Sequence, residues 1–401
     1  MQSKIVGFPC GKAYLPENAP SNEKSRCDSK NSTARLSGHI CASRTGFFLY
    51  KECKMEYYEG SVHFFPEDMP FMRRVGLEQA TEMFLKHRVR EGTPFLYDTH
   101  QLAAFLQMDR RRLFALTRTI DRQYRVVSLP KKNGGARLLH VPGGQLKSVQ
   151  RIILRRILWT LPVSSYATAY APGRTLRQGA APHVGKRYLL KLDITGFFDN
   201  IRFSQVYGAA FSTHRFPRQI GAMLTSLCCH EDVLPQGAPT SPALSNLVMR
   251  RFDDYVGEWC AQRGVSYTRY CDDMTFSSDK PLYGVYQKVR YLLEKMGFSL
   301  NEDKTRFVTN TCRQTVTGLT VNEKVTVDRQ YKRQLRQEVY YALKNGAANA
   351  VAYAGRAAFF GEEGVDVHRY RAHLLGRVRY VLQVEPDNVW FEQAFQKLRR
   401  L

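Results

Sequence analysis

The chain has 401 residues, 43% of them hydrophobic and including 23 Phe and 22 Tyr, enough to bury a large core in two or three subdomains; this excludes a mostly disordered protein. Sixty Lys and Arg against 36 Asp and Glu leave a net charge of +24, so an anionic partner is expected, either nucleic acid or an acidic membrane surface. No apolar run approaches a membrane span and "MQSKIVGFPCGKAY" carries no signal-peptide hydrophobic region, so nucleic acid in the cytoplasm is the favoured setting, with no membrane.

Residues 1–54 are polar, without a sustained period, and read as a flexible extension. Four of the nine cysteines, Cys10, Cys27, Cys41 and Cys53, fall there with His39, but no pair has CxxC spacing, which argues against a zinc site. The others, Cys228, Cys229, Cys260, Cys271 and Cys312, read as reduced core thiols. A helical region spans 55–120. "LEQATEMFLKHRVRE" and "DTHQLAAFLQMDRRRLFALTR" are its helices. Asp98 and Gln101 set a capping box, and Leu102, Phe105, Leu106, Leu113 and Leu116 form an apolar face. Two short helices fit a DNA-reading helix-turn-helix less well than a packed scaffold.

"YRVVSLPKKNGGARLLHVP" (124–142) reads as a hairpin turning at Asn133-Gly134-Gly135. "QLKSVQRIILRRILWTL" is an amphipathic helix with Leu146, Val149, Ile153 and Ile157 on one face. "KRYLLKLD" (186–193) is a short apolar strand ending in Asp193. A helix covers 241–262, a hairpin carries Asp272 and Asp273 at its tip over 265–277, another helix covers 283–296, and a basic helical region begins near 328.

Adjacent carboxylates repel, so Asp272 and Asp273 inside an apolar segment need a cation, a basic partner or water. A solvated turn would satisfy them, but it needs no frame of aromatic and β-branched residues. Asp193 ends another strand. Carboxylates from two strands sharing two Mg²⁺ ions about 4 Å apart are what phosphoryl transfer to a 3′-hydroxyl requires. Magnesium suits such sparse oxygen ligation because it keeps waters and takes phosphate oxygens.

"YCDD" (270–273) resembles the YxDD box of reverse transcriptases, and "LLKLDITGFFDNI" (189–201) their strand with the other catalytic aspartate. "LPQGAPTSPALSN" (234–246) is similar to their nucleotide-closing loop, "GFSLNEDKTRF" (297–307) to the segment with their motif D lysine, and "VTGLTVN" (316–322) to the one after it. The resemblance covers roughly 100–340. Within that superfamily it points to bacterial retron enzymes: Val316-Thr317-Gly318 matches one hallmark, and "GAAPH" (179–183) the other, NAxxH, with Gly179 in place of Asn.

The resemblance implies an α+β right-hand polymerase, with fingers and palm over 121–325, the palm an antiparallel sheet, and a helical thumb over 326–401. It implies Asp193, Asp272 and Asp273 as catalytic metal ligands for two Mg²⁺ and Lys304 as proton donor to the departing pyrophosphate. It also implies Phe198 as the steric gate against ribonucleotides (Phe197 being equally apolar), and Gln236 and Gly237 at the nucleotide. Lys131, Lys132 and Arg137 flank the fingers hairpin, where cations clamp a triphosphate, Arg137 best by its fork and Lys131 beside it. His183 and Val316-Thr317-Gly318 are carried over as nucleic-acid contacts. Arg329, Lys332, Arg333 and Arg336, spaced i, i+3, i+4, i+7, form a basic helical face for gripping phosphates.

The expected partners are a cognate noncoding RNA serving as template and primer, its DNA product, dNTPs and an effector protein, in the bacterial cytoplasm and in defence against phage. Competing readings are a group II intron maturase, disfavoured because the added endonuclease domain and its CxxC pairs are missing, and a non-catalytic RNA-binding protein on a polymerase scaffold. Intact Asp193, Asp272, Asp273, Gln236 and Lys304 argue against the latter.

Overall fold

The structure, a computed structural model, describes residues 94, 96–130, 134–353, 359–361 and 364–400. The polar extension with Cys10, Cys27, Cys41, Cys53 and His39, the helix expected near 76, and Lys131 and Lys132 lie outside the described residues. Among those described, no helix is long and apolar enough to cross a membrane.

Asp98 caps the first helix among the described residues, α1 (Thr99–Phe105), its carboxylate accepting from the Gln101 N–H at 2.8 Å. The reciprocal arm of the box closes one residue early: Gln101 Oε1 accepts from the Tyr97 N–H at 2.8 Å. Together with α2 (Arg110–Arg118), this pair buries Leu102, Leu106, Leu113 and Leu116 in the main core and is a scaffold element. Each such side chain contributes about 2 kcal/mol by leaving water.

β1 (Tyr124–Pro130) and β2 (Ala136–Pro142) pair antiparallel, and Gly134 and Gly135, at φ +83° and +78°, supply the left-handed backbone of the turn. α3 (Gly144–Arg156) buries Leu146, Val149 and Ile153 and leaves Arg151, Arg155 and Arg156 exposed. Its fully buried Gln150 donates to the Tyr124 hydroxyl (2.8 Å) and to the Leu227 carbonyl (2.9 Å), tying the hairpin's base to the end of a helix at 218–226.

The central sheet has four antiparallel strands. In chain order these are β3 (Tyr188–Asp193), β4 (Ser266–Tyr270), β5 (Asp273–Ser278) and β6 (Arg306–Thr309), arranged β4-β5-β3-β6. Alternation along β3 divides its faces. Leu190 and Leu192, with Phe276 and Met274 opposite them, join the main core, to which the long helix Ser241–Ala261 contributes Leu244, Met249, Phe252 and Val256. Leu189, Lys191 and Asp193 face the other way.

At one end of that second face Leu189 enters a separate core with Ala180, Val316, Leu319 and three C-terminal helices. Those helices are Arg329–Tyr353, broken at Gly346 where φ is +80°, Val367–Val384 and Val389–Arg400. At the opposite end of the face Asp193 is buried, but its neighbours Asp273 and Lys304 are exposed, so that corner stays open beside it. The result is an α+β right hand built around an antiparallel sheet.

Candidate active site

Asp193, the last residue of β3, stands opposite Asp273, the first of β5. Residues opposite each other in an antiparallel ladder put their side chains on one face, so these two carboxylates share the open face of the sheet. Asp272 occupies the tight turn between β4 and β5, and its carbonyl accepts from the Ile194 N–H at 3.2 Å. Three carboxylates from two strand ends thus meet at one corner.

Asp193 is buried, with 8% of its surface exposed. Asp273 keeps an exposed edge, yet protein crowds the rest of its surroundings. Loss of water around it, and then the charges of Asp272 and Asp193, push its carboxyl up to about 6, against the pull of Lys191 and Lys304. Lys304 Nζ donates to both oxygens of Asp193 at 2.9 Å. That hydrogen bond raises the Lys304 pKa.

This mutual repulsion leaves an unmet demand for positive charge, and the donors are all carboxylate oxygens, the hard set that suits Mg²⁺. Among the described residues no three His, Cys, Asp or Glu side chains are gathered tightly enough to hold an ion by themselves. Magnesium needs no such cage where one or two carboxylates are completed by phosphates and water.

The loop before the long helix is fixed by the hairpin. The His140 N–H donates to the Gln236 carbonyl at 2.8 Å, and Ser241 Oγ donates to the Pro235 carbonyl at 2.7 Å. Gly237 has φ +122°, and a Cβ there would lie 3.0 Å from the His140 carbonyl oxygen, so this chain's own backbone requires the glycine. Gln236 is half-buried, and Arg137, opposite Leu129 near the tip of the hairpin, is exposed. Phe197 and Phe198 part company: the former is core, 3% exposed, while the latter is only half-buried beside it. Lys191 is a site residue that the motifs do not mark. Its signal was the alternation in "LLKLD", which puts positions 191 and 193 on one face.

Several residues carried over as nucleic-acid contacts are placed otherwise. His183 is fully buried: Nε2 lies 2.8 Å from Thr268 Oγ1 and Nδ1 lies 2.7 Å from Ser277 Oγ. Thr268 gives its one proton to the Gly179 carbonyl, so it accepts from Nε2–H, and Nδ1 accepts from Ser277. His183 is therefore a tie between the segment at 176–183 and the hairpin carrying Asp272, with no face left for a nucleic acid. Gly179 has its own explanation: a Cβ there would fall 2.8 Å from Thr168 Oγ1, which fills the space. Val316 is 1% exposed and belongs to the second core. Thr317 and Gly318, at φ +47° and +83°, form the two-residue turn of a small hairpin, and Gly318 is exposed.

The basic helical face also divides. Arg329 and Arg333 are exposed. Lys332 is on the stripe of Leu335, Val339 and Ala342 that packs inward, and its ammonium meets Glu385 at 2.7 Å. It is held inside the helical region and is not offered to a phosphate. Arg336 lies half-buried over the rings of Trp390 and Phe391, at 5.5 and 5.2 Å.

Burial holds the His183 pKa down at about 4, against the ordinary 6.5. Between those values the unfolded chain binds more protons than the folded one, so stability is full above pH 6.5 and falls as pH drops towards 4. The loss is on the order of 3 kcal/mol. Thermal melts of His183→Asn between pH 4 and 7 should show lower stability at neutral pH and a flatter acid dependence; an unchanged slope would assign the acid sensitivity elsewhere.

The family model described as reverse transcriptase (RNA-dependent DNA polymerase) matches residues 129–339. The Retron Mx65 reverse transcriptase of Myxococcus xanthus is 34% identical over 300 residues, 70% of this chain and 64% of that protein. The Retron Ec86 and Retron Ec83 reverse transcriptases of Escherichia coli are 29% and 28% identical, over 69% and 66% of this chain and 88% and 83% of their own lengths. The matched segment includes Asp193, the Asp272–Asp273 turn and Lys304, which meet at one corner of the sheet, and the chain belongs to the reverse transcriptase family, on its retron branch.

Proposed function

We propose that this protein is an RNA-directed DNA polymerase that copies part of a cognate noncoding RNA into a branched, RNA-linked single-stranded DNA in the bacterial cytoplasm. Its role is in defence against phage, alongside an effector protein. The observation that carries the polymerase reading is the pairing of Asp193 with Asp273, and Asp272 beside them, on the open face of the sheet. Asp193, Asp272 and Asp273 would hold two Mg²⁺ ions, which supply Lewis acidity at the attacking hydroxyl and the leaving phosphate. The domain limits follow: fingers and palm to 325, thumb from 326.

The protein's own groups do the rest. Lys304 is the proton source for the departing pyrophosphate; once the Asp193 oxygens are otherwise engaged, its ammonium is free to turn outward. Arg137 at the tip of the hairpin clamps the triphosphate. Gln236 lines the sugar, on a loop that the His140–Gln236 bond couples to the hairpin. Thr317 and Gly318, with Arg329 and Arg333, meet the nucleic-acid backbone.

The test is extension of a primer on an RNA template by the purified protein with dNTPs and Mg²⁺; no extension on any template would reject the reading. Phe198→Ala adds the sugar test. Removing a half-buried ring opens space beside the 2′-position, and the ratio of dNTP to NTP kcat/KM should fall by one to two orders of magnitude, about 1–3 kcal/mol of lost discrimination. An unaltered ratio would make Phe198 core.

A further inference from the structure

Beneath the turn that carries Asp272 lies a charged pair outside the boxes quoted above. Arg269 and Asp253 are both fully buried. Arg269 Nε and Nη2 donate to the two oxygens of Asp253 at 2.8 and 2.6 Å, and the Tyr267 hydroxyl donates to Asp253 at 2.8 Å. Arg269 stands opposite Met274, which in turn stands opposite Leu192, so its side chain is on the core face of the sheet, away from the carboxylates. From there its remaining nitrogen, Nη1, donates to the carbonyl of Cys271 at 2.8 Å.

That carbonyl belongs to the peptide joining Cys271 to Asp272. Cys271 has φ +60°, a left-handed conformation that a residue with a Cβ rarely keeps without outside support. The main chain of Arg269 is itself pinned: its N–H donates to the Tyr166 carbonyl at 2.9 Å, and its carbonyl accepts from the Thr168 N–H at 2.8 Å. One guanidinium thus links a helix (through Asp253), a strand and the turn.

We propose that Arg269, oriented by Asp253, is a positioning residue that holds the Cys271–Asp272 peptide in its left-handed form and so aims the Asp272 carboxylate at the site it shares with Asp193. This rests on the reading of Asp272 as a metal ligand. Without the Nη1 bond the turn relaxes towards negative φ, and Asp272 swings out of register with Asp193 and Asp273. A buried ion pair adds little to stability over apolar residues of the same volume. What such residues cannot supply is the donor to the Cys271 carbonyl.

Arg269→Lys keeps a cation for Asp253, but a lysine has no planar fork with which to serve Asp253 and Cys271 together. The double variant Asp253→Leu/Arg269→Met replaces the pair by apolar groups and needs no charge balance. For each folded variant, thermal melts, primer-extension kinetics and Mn²⁺ binding by electron paramagnetic resonance are measured. We expect melting close to wild type in at least the double variant and kcat down about 100-fold, as for a misplacement of about 1 Å. We also expect KM for dNTP changed less than threefold and Mn²⁺ bound at least tenfold more weakly.

A folded variant with wild-type kcat, or one with reduced kcat but unaltered Mn²⁺ binding, overturns the proposal. Asp272→Asn measured in parallel separates the two layers. Full activity there removes the metal-ligand reading itself, whereas full activity confined to the Arg269 variants removes only the clamp.

Discussion

Asp272→Asn will lower the rate of primer extension by about three orders of magnitude or more while leaving affinity for RNA within twofold of wild type. The substitution keeps the shape of the turn and its contact with Ile194, because that bond uses the Asp272 backbone carbonyl. It removes one negative charge from a cluster of three. Interactions that act only on charge developing in the transition state are worth about 10²–10³ each in kcat, and a metal ligand counts for at least that. RNA affinity is set by phosphate contacts over a surface of net charge +24, to which one carboxylate is a small correction. Rates under saturating dNTP, with RNA binding titrated in parallel, decide the matter. Near-normal extension by the variant would mean that the reacting atoms lie elsewhere.

The second large effect concerns stability. Lys332 and Glu385 are 16% and 15% exposed as side chains. Burial alone would raise the Glu385 carboxyl, but bonds from Lys332, Thr326, the Val327 N–H and Asn388 outweigh it and hold the pKa at about 2. That stabilisation is present above the ordinary value near 4.5 and is lost as pH falls towards 2. Lys332→Ala leaves a carboxylate among apolar helices with three donors in place of four. It should cost about 2–3 kcal/mol, somewhat below the full value for breaking a buried pair. Its effect on the salt dependence of RNA binding should be nil.

The double variant Arg329→Ala/Arg333→Ala should do the reverse, with unchanged melting and a slope of log affinity against log salt reduced by about two. Denaturant melts and binding titrations at several salt concentrations separate the two cases. A Lys332→Ala protein that melts like wild type but binds RNA with a shallower slope would return Lys332 to the nucleic-acid surface.

Much was determined by the sequence alone, and it was the part governed by short range. "LLKLD" has the period of two that places Lys191 and Asp193 on one face of a strand, and Gly134-Gly135 can take the left-handed turn of the hairpin. The stretch 241–262, with Pro242 in the first turn where a proline is tolerated, is the helix Ser241–Ala261, and its interior Gly257 makes room for the Tyr166 ring. Asp272 and Asp273 sit at the tip of their hairpin because the apolar runs on either side of them in the sequence pair with each other.

The tertiary structure decided which of these faces meets what. A spacing of i, i+3, i+4, i+7 says that Arg329, Lys332, Arg333 and Arg336 lie near one another, but not where the core begins. That came with Glu385 and Trp390 from helices more than 50 residues away, which took Lys332 inward and covered Arg336. His183 and Val316 belong to motifs that resemble recognition elements, yet Thr268, Ser277 and Leu189 close over them from other strands. Asp253 and Arg269, 16 positions apart, carry no short-range signal beyond a charge in an apolar stripe. A buried charge is tolerable only when its partner arrives from elsewhere in the fold, and local periodicity holds no information about that arrival.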